Sequence, residues 1–456
     1  MVQECSVRKY FGTDGIRCVA GVSPLDPESL VRLGRAVGEV FLNNHGKRTV
    51  IIGKDTRLSG YMIENALVAG ITSVGANVRL TGPLPTAGLS YLTRSMRSDA
   101  GIMISASHNP YEDNGIKIFA SDGYKLPDEV ELKIESLMQL GALDGKVADP
   151  ADIGKAFRLD DAVGRYTVYL KNCFPRELSL DGLRIGLDCA NGAAYVVAPQ
   201  VFEELGAEVV SRGISPNGRN INAGFGSLYP EIVRKLVVEQ NLHLGISLDG
   251  DADRVIFSDE KGNVLDGDMI IAICAVYLKE HGLLPKNQIV ATVMSNLGLE
   301  KFLGQHGISV IRSQVGDRYV LEEMRKEQIA LGGEQSGHVI FADSSTTGDG
   351  ILTALKVLEI MVRSGKTVSE LTAGYQKFPQ KLISIKVSQK PLLSTLPEVC
   401  EAIKKVEDEL KEGGRVLVRY SGTENKARVM VECESEDRCQ KYAADLAEVL
   451  EKTIGE

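Results

Sequence analysis

Long apolar runs are missing from this chain. The longest, residues 269–278, has ten residues, about half of what a membrane-crossing helix needs, and it suits a buried helix instead. Residues 1–17 hold no apolar segment of the kind a secretory signal requires, so no signal peptide is expected. There is also no basic run, and 61 Asp and Glu outnumber 52 Lys and Arg for a formal charge of −9. Both features argue against a nucleic-acid partner. The eight cysteines, at 5, 18, 173, 189, 274, 400, 433 and 439, form no Cys-x-x-Cys pair. That excludes a zinc site or disulfide framework and fits the reduced thiols of a cytoplasmic protein.

What is present is an ordinary globular composition, 43% hydrophobic and 25% charged. The 456 residues exceed one ordinary core and suggest about two to four domains. With a negative net charge, any site for an anion must be built locally from a few Arg, Lys and backbone N–H groups.

A weak repeat organises the chain. Residues 50–55, 183–188 and 242–249 each read as an apolar strand ending in Gly and Asp. Strands at 75–80 and 206–210, each opened by glycine, follow the first two after a helical stretch, and 289–294 leads similarly to 307–311. Strand, helix, strand at this spacing is a βαβ unit and predicts parallel pairing. Three α/β domains are expected at 1–154, 155–256 and 257–370. The remainder, 371–456, reads as strand, helix, two strands and helix, a smaller α+β domain joined through 374–379.

Asp249, Asp251 and Asp253 alternate in Leu248-Asp249-Gly250-Asp251-Ala252-Asp253-Arg254, between apolar strands. Three carboxylates this close repel one another unless a hard divalent cation converts the repulsion into attraction. An EF-hand is excluded, because Arg254 holds the loop position that needs Gly and the flanks read as strands. Upstream, residues 101–104 lead into Ser105-Ala106-Ser107-His108-Asn109-Pro110, at a strand end where α/β sheets bind ligands. Ser107 beside His108 invites a hydrolase reading, but neighbours on a strand face opposite ways and no Gly-x-Ser-x-Gly elbow is present. Lys117, in Asn114-Gly115-Ile116-Lys117, stands where it could assist a serine oxygen.

Two more loops complete the set. Gly332-Gly333-Glu334-Gln335-Ser336-Gly337-His338 offers a carboxylate, a hydroxyl and an imidazole suited to sugar hydroxyls or an amine. Arg419-Tyr420-Ser421-Gly422-Thr423, with Arg428 on the next strand, has the hydroxyls, free backbone N–H groups and arginines of a phosphate nest.

Together, and in this order, the four loops resemble the α-D-phosphohexomutase superfamily along the whole chain. Tyr10-Phe11-Gly12-Thr13-Asp14-Gly15-Ile16-Arg17, Val315-Gly316-Asp317-Arg318-Tyr319 and Thr346-Thr347-Gly348-Asp349-Gly350 strengthen the likeness, and Gln335 points to its bacterial amino-sugar branch. The resemblance implies an α/β fold of three similar domains with mixed sheets plus a smaller C-terminal domain, around one central cleft. It implies an isomerase that interconverts glucosamine 6-phosphate and glucosamine 1-phosphate through a phosphoserine enzyme and a sugar bisphosphate that serves as intermediate and activator. A phosphomannomutase, a phosphoglucomutase or a sugar phosphatase remain open as alternatives.

By the same resemblance Ser107 is the phosphorylated serine, and Ser107, Asp249, Asp251 and Asp253 hold one Mg²⁺. His108, Lys117, Arg17, Arg254 and His338 serve the chemistry, with His338 the candidate for proton transfer. Glu334 and Ser336 hold sugar hydroxyls, while Arg419, Ser421, Gly422, Thr423 and Arg428 grip the non-reacting phosphate. The partner is a small phosphosugar, with no nucleic acid and no membrane, and a homodimer is left open. Cys18, Phe225, Tyr229, Tyr420 and Asn425 depart from the family pattern. The last two replace prolines of the phosphate loop, so a looser loop is expected there.

Overall fold

The computed structural model describes residues 8–12, 14–41, 48–421 and 425–455, without the side chain of Glu412. The chain divides into two compact units, one of Met1–Met294 with Val310–Ala373 and one of Ser295–Ser309 with Gly374–Glu456.

The first unit carries three sheets. Strands Thr49–Lys54, Asn77–Pro83 and Ala100–Ile104 pair in parallel, as the βαβ spacing predicts, and Asp113–Ala120 and Ile16–Val19 extend the sheet antiparallel. Ala100–Ile104 is buried along its length, as a strand covered on both faces should be. Helix Pro27–Val40 covers one face. Asp26 caps it by accepting from Ser29 N, Pro27 begins it, and Leu30, Leu33 and Val37 form its buried stripe. Each such side chain, fully buried, contributes about 1.5–3 kcal/mol.

The second sheet pairs Arg184–Asp188 in parallel with Glu208–Arg212 and Leu244–Leu248, then antiparallel through Val255–Asp259 to Val264–Leu265. The third contains Gln288–Thr292, Ser309–Ser313, Leu331–Gly333 and Val339–Phe341. Helix Gly267–Glu280 buries Ile270, Ile271, Ile273 and Cys274, the apolar run noted in the sequence. In the third sheet Gln288–Thr292 pairs in parallel with Leu331–Gly333, which pairs antiparallel with Val339–Phe341. All three sheets are therefore mixed, and each ends strands at one of the loops carrying Ser107, the aspartates or Glu334.

The second unit is a three-stranded antiparallel sheet, Gln380–Lys386, Lys426–Cys433 and Gly414–Tyr420, packed by helices Pro397–Leu410 and Glu436–Ile454. Helix Leu297–Gln305 belongs with it: Leu297 N donates to buried Glu432 (3.1 Å), and Asn296 and Phe378 exchange side-chain and backbone hydrogen bonds. The cysteines described carry no disulfide, although Cys433 and Cys439 meet within the second unit. No described helix is long and apolar enough to cross a membrane.

Candidate active site

Strand Ala100–Ile104 stops three residues before Ser107, which turns into the left-handed region at φ +52°. This corrects the strand-based separation of Ser107 from His108. In the turn their side chains converge, with Ser107 Oγ 3.1 Å from His108 Nδ1. Arg254 Nη1 also lies 3.1 Å from Nδ1, and since a guanidinium only donates, Nδ1 accepts and the ring proton sits on Nε2. Burial, then Arg254 and Arg17, push the His108 pKa down to about 4. Ser107 Oγ donates to Asp249 Oδ2 at 2.6 Å.

The three aspartates sit on the turn between strands Leu244–Leu248 and Val255–Asp259, all buried, with ligand atoms within 4.8 Å of one another. Asp249 Oδ1 accepts from Arg254 N, and Asp251 Oδ2 accepts from Thr86 Oγ1 (2.6 Å) and Lys117 Nζ (3.0 Å). Lys117 Nζ also reaches Asp253 Oδ2 at 2.9 Å. Asp251 Oδ1 and Asp253 Oδ1 are buried and accept nothing among the described residues. Two orphaned carboxylate oxygens beside Ser107 Oγ are an all-oxygen donor set suited to a hard divalent cation. Burial, then Asp253 and Asp251, hold Asp249 well above the usual carboxylate range. For Asp253 burial acts the same way but is overcome by Lys117 and His338, which hold it well below that range.

Cations answer these carboxylates. Burial alone would lower the Lys117 ammonium, but Asp14, Asp251 and Asp253 hold it well above the ordinary lysine value. Arg17, on strand Ile16–Val19, pairs with Asp14, which also accepts from Lys125 and lies 3.4 Å from Lys117. The buried Nε atoms of Arg17 and Arg254 have no partner among the described residues and remain open to an anion.

The loop carrying Glu334 and Ser336 is tied to the aspartate turn through Val255 N, which donates to Gly337 O (3.1 Å). Glu334 Oε1 accepts from Gly316 N and Oε2 from Ser336 Oγ (3.4 Å), while Gln335 Nε2 lies 3.4 Å from Asp266. His338 is buried; its Nε2 accepts from Gly348 N (3.0 Å), which leaves the proton on Nδ1, 3.8 Å from Asp253. Both ring nitrogens are therefore engaged in this arrangement. Burial alone would lower the His338 pKa, but Asp253 and Asp317 raise it.

The candidate phosphate grip lies in the second unit. Arg419 and Arg428 are direct cross-strand partners on adjacent strands, and Ser421 is buried at the strand end. Burial and the facing Arg428 charge lower the Arg419 pKa. Gly422 and Thr423 lie outside the described residues.

Several groups escaped the sequence reading. Asp14, Lys125 and Asp317 form a chain of ion pairs from Arg17 and Lys117 toward His338. Thr86 holds Asp251, and Arg57 and Asn222 hold the Ser107 loop. Asp14 and Asp317 sat inside motifs already noted. Arg57 follows the strand end Gly53-Lys54-Asp55, which reads as part of the repeat only as far as Asp55.

Known proteins place this arrangement. Four families match in consecutive stretches: Phosphoglucomutase/phosphomannomutase alpha/beta/alpha domain I over 8–142, domain II over 164–262, domain III over 266–378 and the C-terminal domain over 382–449. The chain belongs to the phosphoglucomutase/phosphomannomutase family, with its α/β fold of three similar domains and a smaller C-terminal one. Among its relatives, the phosphoglucosamine mutase of Geobacter metallireducens is 56% identical over 449 residues, covering 98% of this chain and 100% of that protein. A family protein from Burkholderia thailandensis shares the fold, with a TM-score of 0.78 at 23% identity over 96% of this chain and 97% of that one. So does the N-acetylphosphoglucosamine mutase of Aspergillus fumigatus, solved with GlcNAc-6P and magnesium (TM-score 0.69, 18% identity, 98% and 96% covered).

Proposed function

We propose that this chain is an isomerase that interconverts glucosamine 6-phosphate and glucosamine 1-phosphate, with Ser107 as the phosphoryl carrier. One observation carries the reading: Ser107 Oγ stands 2.6 Å from Asp249 in a buried aspartate triplet with two unsatisfied oxygens, flanked by Lys117, Arg17 and Arg254. The full-length likeness to phosphoglucosamine mutases selects the amino sugar among the family's substrates.

Asp249, Asp251, Asp253 and Ser107 would hold one Mg²⁺, which when bound supplies charge neutralisation beside the transferring phosphoryl group. A phosphoserine brings about −2 charge to three carboxylates, so one divalent ion leaves the site negative. Lys117, Arg17 and Arg254 supply the remaining positive charge where it develops in the transition state. The bond between Ser107 Oγ and phosphorus breaks as a new one forms to the sugar's free hydroxyl. The proton that this hydroxyl loses is matched by one gained at Ser107 Oγ. The resulting sugar bisphosphate turns and returns its other phosphate to Ser107. It also re-phosphorylates enzyme that has lost its phosphate, which makes it the activator.

Glu334 and Ser336 hold sugar hydroxyls in this scheme, and Arg419, Ser421, Gly422, Thr423 and Arg428 receive the phosphate that is not reacting. His108 orients Arg254 through Nδ1. Proton uptake at His338 Nε2 requires release of the Gly348 N–H it accepts from.

The test compares glucosamine 6-phosphate, glucose 1-phosphate and mannose 1-phosphate as substrates of the purified, Mg²⁺-loaded protein. Turnover fastest on the amino sugar is expected. Faster turnover of glucose or mannose phosphate overturns the substrate assignment, and steady release of inorganic phosphate without isomerisation overturns the mutase reading.

A further inference from the structure

Ser107 adopts φ +52°, a backbone conformation that L-residues avoid and that persists only where the surroundings over-determine it. Here both sides of the residue are pinned. Its N–H donates to Ser105 Oγ (2.9 Å), which in turn donates to Asp55 Oδ2 (2.6 Å). Its carbonyl accepts from Arg57 Nη2 and from Asn222 Nδ2, each at 2.9 Å.

The same two side chains bind the next turn. Arg57 reaches Asn109 O (2.9 Å) and Pro110 O (2.6 Å), and Asn222 reaches Asn109 O (3.0 Å). Arg57 is fully buried, and its Nε donates to Asp55 Oδ2 (2.9 Å). Each of the three nitrogens of this guanidinium thus donates to the protein, so the side chain is held in place by its own turn and the Ser107 loop. Asn222 comes from a loop far away in sequence. The space between them is tight: a Cβ on Gly250 would sit 2.5 Å from Ser107 O and 2.8 Å from Asn222 Nδ2.

We infer that Arg57 and Asn222 are positioning residues that act through the Ser107 carbonyl, holding the nucleophile in its left-handed turn so that Oγ faces Asp249. The inference rests on Ser107 being the phosphoryl carrier proposed above. Asn222→Ala removes one of the two clamps on the Ser107 carbonyl. Arg57→Lys keeps the charge, but one ammonium cannot serve Asp55 and three carbonyls at once.

The experiment uses the full, Mg²⁺-loaded chain and measures three things: kcat and KM with glucosamine 6-phosphate, phosphate on the Ser107 peptide by mass spectrometry, and Tm. A misplaced nucleophile is expected to lower kcat by about 10–100-fold, with KM within about twofold of wild type because no substrate contact is lost. Wild-type kcat in folded Asn222→Ala, or a change confined to KM, overturns the inference. If Arg57→Lys does not fold, Asn222→Ala and Ser105→Ala decide the matter, since each removes a single contact to the Ser107 backbone. A wild-type protein that neither carries phosphate on Ser107 nor isomerises the sugar overturns the proposed function, and this inference falls with it. An active wild type with equally active variants overturns the inference alone.

Discussion

Replacing Lys117 by methionine separates two roles of the same charge. Lys117 is 1% exposed and touches Asp251 and Asp253 at 3.0 and 2.9 Å, with Asp14 at 3.4 Å. Methionine keeps most of the apolar stem and removes the cation, which leaves buried carboxylates facing one another. Breaking a buried ion pair from one side costs about 3–5 kcal/mol, so the metal-free variant should melt well below wild type. The same loss of positive charge makes the aspartate triplet more attractive to a divalent cation. A tenfold tighter site adds about 1.4 kcal/mol of stabilisation at saturating cation. Mg²⁺ should therefore raise the Tm of Lys117→Met more than that of wild type, while isomerase activity stays lost. The assay is a pair of thermal melts, in chelator and across a Mg²⁺ titration. An equal or smaller Mg²⁺ shift in the variant would refute the idea that lysine and metal share these carboxylates.

Three further outcomes are expected. Asp349 caps helix Gly350–Ser364, accepts from Tyr166, and is pushed by burial up to about 6. A raised carboxylate pKa contributes stability below its ordinary value near 3.8 and loses it as pH rises through about 6, a swing of about 3 kcal/mol. Asp349→Asn should flatten the fall in Tm between pH 4 and 6; an unchanged slope counts against the assignment. A Cβ at Gly348 would lie 2.6 Å from the His338 ring, so Gly348→Ala should displace the ring at a cost of about 1–3 kcal/mol, read as a lower Tm and reduced turnover. Arg419→Ala removes a charge-assisted phosphate contact worth about 1.5–3 kcal/mol, so KM for the phosphosugar should rise about 10–100-fold; an unchanged KM removes Arg419 from the grip.

The parts legible in the sequence are those with a local signature. Alternating aspartates between apolar strands announced the buried acidic turn, and glycine-opened strands announced the βαβ units, because both depend on neighbours a few residues apart. What escaped depends on distant contacts. Arg57 is charged and reads as a surface residue, yet Asp55 and three carbonyl oxygens allow it to be buried. Helix Leu297–Gln305 lies within the third α/β stretch of the sequence, but Glu432 and Phe378 hold its start to the C-terminal unit. His108 was separated from Ser107 by assuming a strand where the chain turns left-handed. The sign of φ at one serine decided that geometry, and a serine gives no hint of it as a glycine would.

The most direct test of the central claim follows the phosphate itself. Protein carrying isotopically labelled phosphate on Ser107 is mixed with one equivalent of glucosamine 6-phosphate, and the products are separated after a single turnover. The account predicts label in the sugar phosphates, with Ser107 re-phosphorylated by unlabelled phosphate. Label released as inorganic phosphate, or retained on Ser107 while the sugar isomerises, would contradict it.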